Sequence, residues 1–155
     1  LFFLVQDEAA FLDSTDNGRN CDFCRWQIFT AQDPGFGRIE LQHAVTGSNL
    51  FKYAEPSHGV VLFKHHDPLA FNYSQLSDLL TASWLWYQKS YQLQLGVMPG
   101  DPTNLSGRAS SRSLEVAAAA AGGSYYPFFI WNCLPRAGAS QYHGHAQVCR
   151  LACAI

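Results

Sequence analysis

The chain is poor in charge: Asp, Glu, Lys and Arg make up 14% of its 155 residues, and the formal charge at neutral pH is −2. The ten Lys and Arg residues are scattered, so there is no basic field to hold a nucleic-acid backbone, and no nucleic-acid partner is expected. A long apolar run is also missing. Leu1-Phe2-Phe3-Leu4-Val5 stops at Gln6-Asp7-Glu8, far short of the roughly twenty residues that cross a bilayer. With no positive charge before it and no small-residue cleavage pattern after it, that run does not read as a secretory signal, and no membrane partner is expected. Nor is there an even set of cysteines for a disulfide scaffold. The five are Cys21, Cys24, Cys133, Cys149 and Cys153, and an odd set with one Cys-x-x-Cys pair fits a reduced compartment and a metal or redox site. The expectation is a soluble, cytoplasmic protein.

What is present is enough apolar material, 48% of the residues, to bury one core in one domain spanning 1–155. Residues 1–12 read as a short helix and 33–37 as a loop. Arg38–His43 and Asn49–Tyr53 are weak strand candidates, and Gly59–Lys64, with Val60-Val61-Leu62-Phe63, is the clearest strand of the first half. Asn72 and Gln75 stand at capping-box spacing, with Ser74 as a competing cap. Leu76, Leu79, Leu80, Ser83, Tyr87 and Tyr91 follow at helical spacing, which predicts a helix over Ser74–Leu95. Trp84-Leu85-Trp86-Tyr87 within it reads as core on one side and partner contact on the other. Gly96–Ser124 turns to Gly, Ser, Pro and Ala and reads as a disordered insertion. Tyr126–Asn132 reads as a buried strand, followed by a Pro-Arg-Ala-Gly loop and a strand carrying two histidines. This order of elements implies an α+β fold, an antiparallel sheet with helices packed on it.

The chemistry concentrates in Gln141-Tyr142-His143-Gly144-His145-Ala146-Gln147. Residues two apart on a strand share a face, so His143, His145 and Gln147 form one polar row where a half-buried strand normally places apolar groups. A solvated strand face with ordinary histidines is the bland alternative. Three features weigh against it. Gly144 leaves room for close approach of a ligand or of neighbouring backbone. Gly138-Ala139-Ser140 offers N–H groups and a hydroxyl of the kind that cradle phosphate. Asn132 ends a strand eleven residues before His143. Neutral imidazole is a good nucleophile near pH 7, and a hydrogen bond to one ring nitrogen decides which nitrogen attacks. Cys21-Asp22-Phe23-Cys24 is a ligand pair lacking a second pair; a redox site or two unrelated core cysteines are the alternatives, and no thioredoxin-like strand and helix surround it. His43 and His58 have no such context and read as surface or hydrogen-bonded structural residues. Asn49 reads equally as a turn residue or a nucleotide contact.

Together Asn132, Gly138-Ala139-Ser140 and His143-Gly144-His145-Ala146-Gln147 resemble the active-site segment of the galactose-1-phosphate uridylyltransferase family, the His-x-His-x-Gln branch of the histidine-triad superfamily. The resemblance covers about residues 18–150. It implies a histidine-triad-like sheet, His145 as the nucleophile that takes a nucleotidyl group, Gln147 steadying phosphoryl oxygens, and Asn132, Gly138 and Ser140 as phosphate contacts. It further implies a structural zinc ion on Cys21, Cys24, His66 and His143, with His65 an open competitor for His66. The implied partners are a nucleotide sugar and a sugar 1-phosphate. Alternatives that keep the nucleophile are a nucleotide-sugar or dinucleoside polyphosphate phosphorylase or hydrolase. A non-catalytic, zinc-stabilised nucleotide-binding remnant is the third reading. Three departures stand out: the family's linker before the catalytic strand is much shorter than Gly96–Ser124, its residue between the histidines is typically Pro where this chain has Gly144, and the family continues into a second half. The chain therefore reads as a fragment, with a homodimer left open.

Overall fold

Val60-Val61-Leu62-Phe63 is apolar and opens with two β-branched residues, suited to a strand buried on both faces, and it lies in the centre of the sheet. The computed structural model describes residues 13–52, 54, 56–94, 96, 125–132, 134 and 139–152. In chain order the elements are α1 (Trp26–Phe29), β1 (Ala44–Ser48), β2 (Pro56–Phe63), α2 (Tyr73–Gln94), β3 (Tyr125–Asn132) and β4 (His145–Ala152). The four strands make one antiparallel sheet in the order β1-β2-β4-β3. The α+β class expected from the sequence is the one observed. The expected helix over 1–12 and the insertion from 97 to 124 lie outside the described residues. Among the described residues, no helix is long and apolar enough to cross a membrane.

Helix α2 begins where its capping chemistry places it. The Asn72 side chain accepts from the Gln75 N–H at 3.0 Å, and the Gln75 side chain accepts from the Asn72 N–H at 2.8 Å. Ser74 does not cap; its hydroxyl donates to the Asn72 side chain at 2.8 Å. Leu79, Ala82, Ser83, Trp86 and Ser90 form the buried stripe, and it packs on Ile39, Ala44, Val61, Phe63, Ala146 and Val148. Gly59 makes room for the indole, since a Cβ there would lie 2.5 Å from Trp86 Nε1. Trp84 is 60% exposed, so the aromatic run divides between core and surface.

Three strand expectations are corrected. Arg38–His43 makes only a single bridge, Glu40 to Val45, and Asn49–Lys52 is loop; the strand is β1, between them. Arg38 ties that strand down from outside it, donating to the Thr46 carbonyl at 2.8 Å, the Thr30 hydroxyl at 2.9 Å and the Thr30 carbonyl at 2.9 Å. The third concerns β3, which is an edge strand rather than a buried one, with Tyr126 and Phe128 exposed. Pro127 has no N–H to give a second neighbour, and an edge is where a strand tolerates that.

On the face away from α2, Val45, Val60 and Leu62 are covered by Phe23 and Trp26. Trp26 is held between cations, the Arg38 guanidinium 5.0 Å and the Lys64 ammonium 6.0 Å from its ring. The cysteine-bearing segment is thereby laid across the sheet beside the start of β4.

Candidate active site and metal centre

Cys21, Cys24, His66 and His143 come from three separated stretches of chain, and their ligand atoms all lie within 4.8 Å of one another. They are close enough to hold a metal ion. His143 Nδ1 stands 3.6 Å from Cys21 Sγ and 3.5 Å from Cys24 Sγ, and His66 Nδ1 is 3.3 Å from Cys24 Sγ. Each imidazole is turned by its other nitrogen. His143 Nε2–H donates to the Phe63 carbonyl at 2.7 Å, and His66 Nε2–H to the Asp13 carboxylate at 3.0 Å. Both Nδ1 lone pairs therefore face the sulfurs, the outer-shell arrangement that orients metal-ligating histidines.

The surroundings fit a small cation with soft ligands. Gly18, at φ +87°, lies where a Cβ would be 2.9 Å from Cys24 Sγ and 3.1 Å from the His66 ring, so only glycine leaves the cluster open on that side. Burial brings His143 down to about 4, leaving it neutral at neutral pH as a ligand must be. Burial, and then the neighbouring Cys21, pushes the metal-free Cys24 thiol up to about 12, a cost that a divalent cation would reverse. His65, the competitor for His66, points elsewhere: its ring stacks on Phe63 at 4.7 Å, and neither ring nitrogen has a hydrogen-bond partner among the described residues.

His143 is not on the strand, as the period-two reading had it. β4 starts at His145, and His143 sits in the bend before it, which lets its ring turn to the cysteines. Gly144 between them leaves room for neighbouring chain, since a Cβ would lie 2.9 Å from the Phe63 ring and 3.0 Å from Pro68 Cα. The His145 ring is buried, and its Nδ1–H donates to the His143 carbonyl at 2.8 Å. Its lone pair is thus on Nε2. Burial lowers the pKa of His145, with the carbonyl hydrogen bond opposing in part, so the ring is neutral at neutral pH. Phe23 touches both rings edge-on, centroids 5.8 Å from His143 and 5.2 Å from His145, so one residue of the Cys-x-x-Cys segment braces both.

His145 and Gln147 line a cavity of about 210 Å³ together with Ser140, Asn49, Phe23 and Phe51. Of the expected phosphate contacts, Ser140 is therefore at the cavity. Asn132 ends β3 directly across from His145 in register, and Gly138 lies outside the described residues. The residue that sequence reasoning set aside is His58. It is buried on β2, with Nε2 2.9 Å from Gln147 Oε1 and 3.0 Å from Asn49 Nδ2. Beginning the strand at Gly59 hid it; a start at Pro56 puts His58 on the face of Val60 and Leu62, the face that carries Gln147. Asn49 has the turn role, its side chain accepting from the Phe51 N–H at 3.1 Å, and it also faces the cavity.

No protein-family model and no curated protein matches this chain in sequence. Solved structures similar in fold include a histidine triad nucleotide-binding protein from Candida albicans, at TM-score 0.49 and 16% identity over 87% of this chain and 78% of that one. A HIT family protein from Bacillus anthracis has TM-score 0.49 and 12% identity over 86% and 72%. A HIT family hydrolase from Legionella pneumophila has TM-score 0.45 and 16% identity over 83% and 88%.

Proposed function

We propose that this chain is a nucleotidyl-transfer domain of the histidine-triad type. In this reading His145 takes a nucleotidyl group from a nucleoside diphosphate sugar and passes it to a sugar 1-phosphate. One observation carries the reading: His145 is a buried, neutral imidazole whose Nδ1–H is committed to the His143 carbonyl, leaving the Nε2 lone pair beside the cavity that Gln147 and Ser140 line. That is the state a nitrogen nucleophile needs. In the first displacement Nε2 attacks the α-phosphorus, the bond from that phosphorus to the bridging oxygen breaks, and the sugar phosphate leaves with the electron pair. In the second, a phosphate oxygen of the acceptor attacks the same phosphorus and the P–N bond returns its pair to Nε2. Such transfer asks mainly for positioning and for donors to the equatorial oxygens. The Gln147 amide and Ser140 hydroxyl supply donors, with Asn132 and the Gly138 backbone completing the set that the uridylyltransferase resemblance implies.

Cys21, Cys24, His66 and His143 would hold a zinc ion, and four protein ligands make that a closed site whose contribution is structural. His143 then has two duties. Its ring is a ligand, and its carbonyl fixes the tautomer of His145. A reduced, cytoplasmic setting belongs to the same reading, because the cysteines must be available as thiolates.

The test is to incubate the full chain with nucleotide sugar labelled at the α-phosphorus. The expected result is an acid-labile label on His145, absent from His145→Ala and discharged by a sugar 1-phosphate. Turnover that survives His145→Ala with no labelled protein would overturn the proposal.

A further inference from the structure

Among the described residues that line the cavity, the one with a formal charge is Asp22, inside the Cys-x-x-Cys segment. Its side chain is 52% exposed, and its nearest cation, Arg25 Nη2, stands off at 3.8 Å, longer than a hydrogen bond. The Arg25 guanidinium lies instead 4.3 Å over the Phe29 ring. Both Asp22 oxygens can therefore accept from a ligand, and an ionised carboxylate can do nothing but accept.

A phosphate-bearing substrate avoids that charge. Its phosphoryl end belongs with His145, Gln147 and Ser140, so the carboxylate meets the uncharged end. The large apolar walls of the cavity include Phe23, Phe29, Leu50 and Phe51; Phe23 also touches the His145 ring, and Phe51 is 84% exposed and open to stacking on a flat ring. Aromatic faces plus one acceptor-only group describe a pocket for a planar base presenting two adjacent N–H donors. Guanine offers that edge through N1–H and the N2 amine. Uracil presents a single N–H between two carbonyl oxygens, which a carboxylate repels, and adenine and cytosine each set a bare ring nitrogen beside their amine.

Building on the nucleotidyl-transfer reading, we infer that the cavity selects guanine nucleotides, with Asp22 as the residue that determines base specificity.

The experiment measures dissociation constants of GMP, IMP, AMP and UMP by calorimetry on the zinc-loaded full chain, its Asp22→Ala and its Asp22→Asn. GMP is expected to bind about tenfold or more tighter than UMP, the scale of a charge-assisted hydrogen bond, with IMP, which lacks the N2 amine, in between. Asp22→Ala should bring GMP to the level of UMP with zinc content unchanged, and Asp22→Asn should retain part of the preference. UMP binding as well as GMP, or a guanine preference that survives Asp22→Ala, overturns the inference while leaving the nucleotidyl-transfer reading intact. Failure of every nucleotide to bind, with no label on His145, overturns both.

Discussion

One strand serves two different regions. On the side covered by α2, β4 buries Ala146 and Val148 against Val61, Phe63 and Trp86; on the other side its alternate residues His145 and Gln147 line the cavity. The first surface is apolar and closed by a helix whose start is written in local sequence. The second is polar, and is closed by the segment carrying Cys21 and Cys24, which has one turn of helix and relies on side-chain ties. Stability and chemistry are thus separated by the pleat of a single strand, and a slip of one residue would exchange them. The two regions should fail in different ways.

The largest difference is expected on removing the metal ligands. Structural zinc in small domains contributes an apparent binding free energy on the order of 10–16 kcal/mol, more than any one side chain's packing. Cys24→Ser, or chelation of the native chain, should abolish stoichiometric zinc and with it the labelling of His145, because His143 loses its anchor and the His145 tautomer its acceptor. The far-UV signal of α2 should persist. Labelling that is unchanged after complete chelation would show that the two regions are not divided in this way. Trp86→Ala is the opposite perturbation and the next in size. Emptying this buried site should cost about 3–5 kcal/mol in urea unfolding, while zinc stoichiometry and the labelling rate of the folded fraction stay unchanged. Loss of zinc in that variant would mean that the helix face also supports the site.

The helix face was the more legible of the two. Asn72, Gln75 and the spacing from Leu76 to Tyr91 are local signals, and α2 follows them to within a residue at each end. β1 was not legible, because Ala44-Val45-Thr46-Gly47-Ser48 is short and half made of small residues; its pairing with β2 and its ties to Arg38 make it a strand. For β3 the apolar run hid the meaning of Pro127. On the site face, His143 and His145 stood out from their spacing, whereas the division of labour proposed for them depends on β4 starting at His145. The proposed ligand set required family resemblance, since nothing local relates His66 to a cysteine pair more than forty residues earlier in the sequence. His58 escaped because its importance lies in a cross-strand neighbour.

His58→Ala should have the smallest of these effects and the most specific one. The Asn49 amide is oriented by the Phe51 N–H, which its oxygen accepts, so its nitrogen faces His58 Nε2. Gln147 Oε1 faces the same atom. One ring nitrogen carries either a proton or a lone pair and cannot serve both partners as drawn, and the amide orientations follow from which it carries. With Nε2 bare the ring accepts from the Asn49 amide; with Nε2 protonated it donates to Gln147 Oε1, and the Gln147 amine then points away from His58 as a donor. Burial lowers the pKa of His58, with the Gln147 hydrogen bond opposing in part, so the ring stays neutral and this choice between tautomers is open to it at neutral pH. Removing the ring should slow labelling of His145 by about tenfold, the scale of one hydrogen bond to a charged group, with zinc content unchanged. Gln147→Ala should cost a similar factor, and the double variant little more than either, since both remove the same oriented donor. Losses that multiply would mean that His58 supports only the fold of β2, and that the cavity face, like the helix face, is held by packing.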